Sequence, residues 1–455
     1  MFKGEFDIKH DLVQRGRAMA VVALALVLPL LLIESPVAAR VVAICGVCLA
    51  LWLLELVPPF VPTLLLWVLV PVLLSPVDSK YSLMNTLRWA ADPVLALFFG
   101  GFALGVATER HGLDRKIAGI AFRRARSSYS LLLLTTIGLT AFMSMWLSNI
   151  AAAALMFACL RPILSSWETD DMGRRTLLVG VALGANLGGM ATPIGTGPNA
   201  IAIASISNIR QVSFIDWMAF ALPLTVGLLL LGFVFLKWRV GKEKPPRWKP
   251  AIADSSDEFS RNGRVGLIIV FAIAVALWLS EPLHGIPAAV VALGTAASLF
   301  VFRLLGKKDL ARIDWSTLLL IAGGITLGRL LEASGLVSSG AAELSLAGMH
   351  PAVTLFILCV ASATLASLMS NTGTAVLLIP LASALVPQPS TAILIAISAS
   401  FGMPFVISTP QNAMAHGEGG LRASDLLYLG LIEMVVGCAI VSLTGRAVLS
   451  FVGIP

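Results

Sequence analysis

The chain has 455 residues, of which 58% are hydrophobic and 13% charged, with a mean hydropathy of +0.91. Soluble globular domains hold roughly 45–50% apolar residues, so the composition excludes that class and describes a polytopic membrane protein. The net charge of +7 does not argue for nucleic acid, because the basic residues sit in short segments between apolar runs, as membrane topology requires.

Crossing a bilayer takes about 20 mainly apolar residues. Ala18 to Ile33, Val37 to Leu54 and Val57 to Leu74 supply three candidate spans, with Glu55 and Pro58-Pro59 separating the last two. Lys3, Lys9, Arg15 and Arg17 precede the first span and no small-residue cleavage site follows it. It therefore reads as an uncleaved span with a cytoplasmic N-terminus, not a signal peptide. Pro76 to Asp92 mixes Asp78, Lys80, Arg88 and Asp92 with apolar residues, which predicts an amphipathic arm at the interface. Pro93 to Thr108 is the fourth span, and the arginine-rich segment Glu109 to Arg126 fixes the cytoplasmic side.

Leu131 to Leu164 is apolar but broken by Ser144, Ser148 and Asn149, and basic residues flank it at both ends. Both ends then face the cytoplasm, which predicts a re-entrant hairpin whose tip is sheltered by protein or water. The fifth span starts near Leu177 and runs into Met190 to Asn199, where two prolines and two glycines forbid a regular helix. Apolar sequence resumes at Ala200, so the element reads as a discontinuous helix. Phe214 to Leu236 is the sixth span, and the polar loop 237–264 divides the two halves.

Gly266 to Ser280, Ile286 to Phe302 and Trp315 to Leu331 follow as spans, and Gly335 to His350, without Lys or Arg, is predicted to be external. Pro351 to Pro387 is a second interrupted hairpin, entering from outside, with Ser370-Asn371-Thr372 at its tip. Thr391 to Ala415 is a second discontinuous helix, and Leu426 to Leu449 the last span. The predicted fold is all-α with about 11 transmembrane segments. On this topology about 26 of the 32 Lys and Arg lie inside. All five cysteines lie in apolar stretches and read as buried small hydrophobes.

The halves repeat. Gly100-Gly101, Leu104-Gly105, Glu109 and Gly112-Leu113 recur as Gly323-Gly324, Leu327-Gly328, Glu332 and Gly335-Leu336 at one offset of 223 residues. Ser148-Asn149 is echoed by Ser370-Asn371, and Asn199-Ala200-Ile201-Ala202 by Asn412-Ala413-Met414-Ala415. Five crossings between the copies place them in opposite orientations, the inverted-repeat signature of a secondary transporter. Where a helix breaks inside a membrane, free carbonyls can hold a small cation and free N–H groups an anion. Ser144, Ser148, Asn149 and the Gly195 carbonyl are predicted to form one sodium site. Asn371, with carbonyls near Ala366 and Ser408, is its predicted mirror image. Arg329 and Glu332 read as a structural or interfacial pair, and Trp146 as packing beside the first tip. No HExxH, GxSxG or P-loop is present, so a membrane protease or ATP-driven pump has no support, and nothing marks an enzyme. A cation/proton antiporter would need a carboxylate at a tip, and neither tip has one.

These residues resemble the divalent anion/sodium symporter family, carriers of di- and tricarboxylates and, in some branches, sulfate. Leu51-Trp52-Leu53-Leu54-Glu55-Leu56-Val57-Pro58, the Gly-Gly to Gly112-Leu113 stretch, both Ser-Asn tips and the loops Thr192 to Asn199 and Ser408 to Asn412 carry the likeness. The resemblance implies a plasma-membrane homodimer that moves a dicarboxylate such as succinate or malate with Na+ by an elevator motion. It implies scaffold regions 1–130 and 214–350 and transport regions 131–213 and 351–455. It also implies that Asn149, Ile150, Thr196, Gly197, Ser370, Asn371, Thr372, Thr409 and Pro410 line the substrate site. The chain departs from the family pattern at Ile150, where the tip motif has threonine, at Gly197, where many members have proline, and at Ala366, where a hydroxyl would serve sodium. A sodium-independent exchanger or an inorganic anion carrier is the alternative.

Overall fold

The computed structural model describes residues 19–33, 35–54, 57–125, 128–165, 167–241, 261–336 and 351–454. Among these residues all regular structure is helical, as the composition predicts. The predicted loop 237–264 and external segment 335–350 fall largely outside them. Five described helices are long and apolar enough to cross a membrane, and further apolar helices have 10–17 residues. The chain divides into two compact units.

One unit takes in Met1–Asp92, Trp315–Ala347 and Val376–Pro387. Its helix Pro36–Leu53 starts at Ser35, whose side chain accepts from the Ala38 amide, with proline at the first helical position. Val61–Leu74 has 14 residues, about 21 Å at 1.5 Å per residue, so it is shorter than the expected span from Val57. Pro58 and Pro59 keep the preceding backbone in turns. Thr63 Oγ1 donates to the Leu319 carbonyl at 2.9 Å and Trp67 Nε1 to Thr326 Oγ1 at 3.1 Å, tying this helix to Trp315–Ser334. The interfacial arm is a 3₁₀ turn, Ser79–Tyr81, and a helix, Leu83–Ala90. Leu83, Met84 and Leu87 are exposed while Thr86 and Ala90 are buried, the amphipathic division expected of it.

The other unit takes in Pro93–Asp314, Gly348–Ala375 and Gln388–Pro455. The basic segment after the fourth span folds as a helix, Leu113–Arg124, with Asp114 in its first turn and Arg123 and Arg124 in its last, as the helix dipole favours. The first interrupted segment is two 16-residue helices, Tyr129–Ser144 and Asn149–Leu164, each about 24 Å long and too short for a bilayer of about 30 Å. It starts and ends at one end of the same neighbour. Tyr129 donates to the Gly173 carbonyl at 2.9 Å, and Arg174 Nη1 donates to the Leu164 carbonyl at 2.7 Å.

That neighbour, Met172–Gly188, begins five residues before the expected start at Leu177, because Asp171 caps it by accepting from the Arg174 amide. Arg174 and Arg175, expected as loop charges, are buried in its first turn. Arg174 donates to the Leu164 and Glu418 carbonyls, and Asp425, at the start of Ala423–Phe451, explains the burial of Arg175. Its carboxylate takes Arg175 at 2.6 and 2.8 Å and Arg239, near the end of Phe214–Val240, at 2.6 Å. Two helix ends expected on the same side of the membrane thus meet on one acid.

Candidate functional site

Both discontinuous helices break where the glycines and prolines predict. The first runs Met172–Gly188, a 3₁₀ turn at Gly189–Ala191, an extended stretch and then Gly197–Ile206. The second runs Pro389–Ala399, then a 3₁₀ turn at Val406–Ser408 and a short helix Pro410–Gly417. One hydrogen bond recurs in each break. Asn199 Nδ2 donates to the Thr192 carbonyl seven residues back at 2.8 Å, and Asn412 Nδ2 to the Phe405 carbonyl seven back at 2.9 Å. An asparagine amide thus satisfies a carbonyl that the interrupted helix frees. Asn186 Nδ2 donates to Asn412 Oδ1 at 3.0 Å and joins the two broken helices.

Three of the four residues predicted for the first cation site converge. Ser144 Oγ lies 2.7 Å from both Asn149 Oδ1 and the Ala185 carbonyl, and its single proton serves one of them at a time. Gly189 packs against the same oxygens: a Cβ there would lie 2.5 Å from Asn149 Oδ1 and 2.9 Å from the Gly195 carbonyl oxygen. Neutral oxygens from a hydroxyl, an amide and backbone carbonyls are the donor chemistry of a hard cation. Ser148 stands apart, because it is exposed and its hydroxyl caps Asn149–Leu164 by accepting from the Ala151 amide at 3.2 Å. Ile150 is half exposed beside it.

The second set is more dispersed. Asn371 Oδ1 is buried without a hydrogen-bond partner among the described residues. Ser408 Oγ donates to the Ser367 carbonyl at 2.9 Å, and Ala366 packs against Gly402. Ser370 Oγ accepts from the Gly373 amide at 3.1 Å, capping its arm as Ser148 caps the first. Thr372 touches the opposite repeat: a Cβ on Gly197 would collide with Thr372 Oγ1. The glycine at that position therefore gives this threonine its place. Thr409 caps Pro410–Gly417 through the Asn412 amide at 3.3 Å, and Pro410 is exposed. Thr196, at the start of Gly197–Ile206, makes no such bond, so its hydroxyl and a helix N-terminus remain available to an anion.

A cavity of about 720 Å³ reaches the first tip at Trp146, Leu147 and Ser148. Its lining also includes Glu109, Asp114, Arg115, Arg312 and Asp314. Arg312 pairs with Glu109 at 2.9 Å, and Arg110 with Asp309. Burial pushes the Asp114 carboxyl up to about 6, against the pull of the Arg115 amide and charge. Trp146 stacks on Phe214 and Trp278 at ring separations of 6.2 Å, which is the packing role expected of it. Arg329 and Glu332 pair at 3.2 Å, also as expected. Sequence reasoning passed over Asp425, Gly189 and Glu433. Glu433 is a fully buried acid in the last long helix.

Broken apolar helices, capped tips and neutral oxygens at the breaks define a membrane carrier of small anions. The chain belongs to the citrate transporter family, whose profile matches residues 30–388 and again 275–453. It is 27% identical over 422 residues to an uncharacterized transporter of Haemophilus influenzae, covering 87% of this chain and 88% of that protein. It is 25% identical over 430 residues to the sodium-dependent dicarboxylate transporter SdcS of Staphylococcus saprophyticus, with 85% and 82% covered. The yeast inorganic phosphate transporter PHO87 is 28% identical over 368 residues, 76% of this chain and 39% of that longer one. In fold the chain is similar to the YdaH transporter of Alcanivorax borkumensis, with a TM-score of 0.55, 16% identity, and 79% and 85% covered. The likeness to di- and tricarboxylate carriers read from the motifs is thereby borne out.

Proposed function

We propose that the protein is a sodium-coupled symporter of a dicarboxylate-like divalent anion, working as a homodimer in the plasma membrane by an elevator form of alternating access. The convergence of Ser144, Asn149 and the Gly195 carbonyl around Gly189 carries this reading. Such a cluster of neutral oxygens has the donor chemistry of a sodium ion, and binding one would fix the first tip against its loop. The anion then sits between the tips, held by hydroxyls and helix N-termini in place of basic side chains: Thr196 and Gly197 on one side, Ser370, Asn371 and Thr372 on the other. Asn371 Oδ1, buried and without a partner among the described residues, offers a second cation a single side-chain ligand, a weaker cage than the first, and leaves its amide to the anion. The cavity at the first tip supports a cytoplasm-facing route, since its lining includes charges that the expected topology assigns inside.

Uptake of labelled succinate, malate and citrate into proteoliposomes, with and without an inward sodium gradient, tests the proposal. Symport requires at least one of them to accumulate only with the gradient. Similarity to a phosphate transporter favours a second reading, an inorganic anion carrier on the same scaffold. Sodium-independent counterflow, or uptake of phosphate or sulfate alone, would select an alternative.

A further inference from the structure

Glu433 lies in the middle of Ala423–Phe451, a helix long and apolar enough to cross the membrane. Its side chain is fully buried, and neither carboxylate oxygen has a hydrogen-bond partner among the described residues. The surroundings are helix surfaces brought close by glycines. A Cβ on Gly232, in Phe214–Val240, would lie 3.0 Å from Glu433 Oε1 and would collide with the Leu183 side chain. Leu183 belongs to the first broken helix, in the turn before its break. Gly430 and Gly437, three residues before and four after Glu433, share its face of the helix. They pack on Pro404 and Phe401, inside the break of the second broken helix. Glu433 therefore sits where the last helix meets both discontinuous helices.

Among the described residues no charge answers it there. Asp425 lies eight residues away on the same helix, about 12 Å, and already holds Arg175 and Arg239. Arg446 lies 13 residues on in the other direction, and Tyr428 and Cys438 are the other titratable groups of that helix. Pro351–Leu368 offers Cys359, and Pro389–Ala399 and the break after it offer none. On Phe214–Val240, Asp216 is at the far end and Lys237 lies over the Phe233 ring. On Met172–Gly188, Arg174 bonds the Leu164 and Glu418 carbonyls. An ionised carboxylate without a counter-charge costs several kcal/mol or more in such surroundings, so the group rests there as the neutral acid.

We propose that Glu433 is a proton-binding site of the transport cycle, separate from the tips. It holds a proton in this conformation and releases it when movement of the broken helices admits water to the contact between Glu433, Gly232 and Leu183. The site rests on the chain working as a carrier and not on the identity of the anion or on sodium. Binding moves one proton onto a carboxylate oxygen, and release returns it to water.

Infrared titration of the purified full chain in lipid nanodiscs reads the site without transport. The carboxylic C=O stretching band is expected at pH 7 in the wild type and absent in Glu433→Gln, while Glu433→Asp keeps a shifted band. An identical band in wild type and Glu433→Gln would overturn the proposal. In proteoliposomes, the ratio of uptake with an inward acid gradient to uptake without one should be several-fold in the wild type and about one in Glu433→Gln. A wild-type ratio of one, or equal ratios in the two proteins, would overturn the link to the cycle. Presence of the band with no transport of any tested anion would instead count against the carrier reading itself.

Discussion

The two tips begin from the same Ser-Asn pair and end in different chemistry. At the first, Ser144, Asn149 and the Gly195 carbonyl gather around Gly189, and Ile150 stands where a hydroxyl is expected. At the second, Thr372 supplies that hydroxyl and presses against Gly197, whereas Ala366 and Ser408 are spent on packing and on a bond to Ser367. A repeat that duplicates a backbone break leaves the side chains free to diverge. On the proposed reading one copy holds the better cation cage and the other the better anion contact.

Removing one copy's key amide tests that division most severely. Asn149→Ala should lower sodium-driven uptake about 100-fold, close to 2.7 kcal/mol, and shift sodium activation to higher concentration, while Asn371→Ala should weaken mainly substrate affinity. Equal sodium shifts in the two variants would erase the difference between the tips.

Asp114, in the lining of the cavity that reaches the first tip, adds a dependence on pH. Its folded carboxyl titrates near 6 because burial raises it above the ordinary 3.8. A raised acid contributes stability in its neutral form, fully present below about pH 4 and lost as pH rises through 6. The wild type should therefore lose roughly 2 kcal/mol between pH 4 and 6.5 relative to Asp114→Asn, read from thermal unfolding across that range. Parallel pH curves would show that burial at this position does not hold the acid neutral.

Gly197→Ala should cost about tenfold in uptake by displacing Thr372, and adding Thr372→Ala should restore part of it. Additive losses in the double variant would deny the contact between loop and tip. Ile150→Thr should produce the smallest change, a few-fold gain for the shorter and more polar dicarboxylates in competition assays, about 1 kcal/mol. An unchanged ranking of competitors would remove Ile150 from the substrate pocket.

Much of this was legible in the linear sequence, for physical reasons that differ by element. Ser144 to Asn149 and Thr192 to Asn199 stood out because polar residues, glycine and proline inside apolar runs leave backbone groups that only a broken helix can accommodate. The start of Met172–Gly188 was not legible. Arg174 and Arg175 look like solvent charges until Asp425, 250 positions from Arg175, is brought against the second and the Leu164 and Glu418 carbonyls against the first. The Gly189 cage escaped notice because a glycine announces close approach without saying to what. Glu433 escaped because one acid in a long apolar run shows neither its burial nor its missing partner. Ser148 reads as a ligand because it adjoins Asn149; in the folded chain its hydroxyl caps a helix.

The central claim is that the first tip binds sodium. Equilibrium binding of radioactive sodium to the purified protein, compared among wild type, Asn149→Ala and Asn371→Ala, tests it most directly. Saturable binding in the wild type, lost in Asn149→Ala and largely kept in Asn371→Ala, is the predicted result. No saturable binding in the wild type, or full binding in Asn149→Ala, would contradict it.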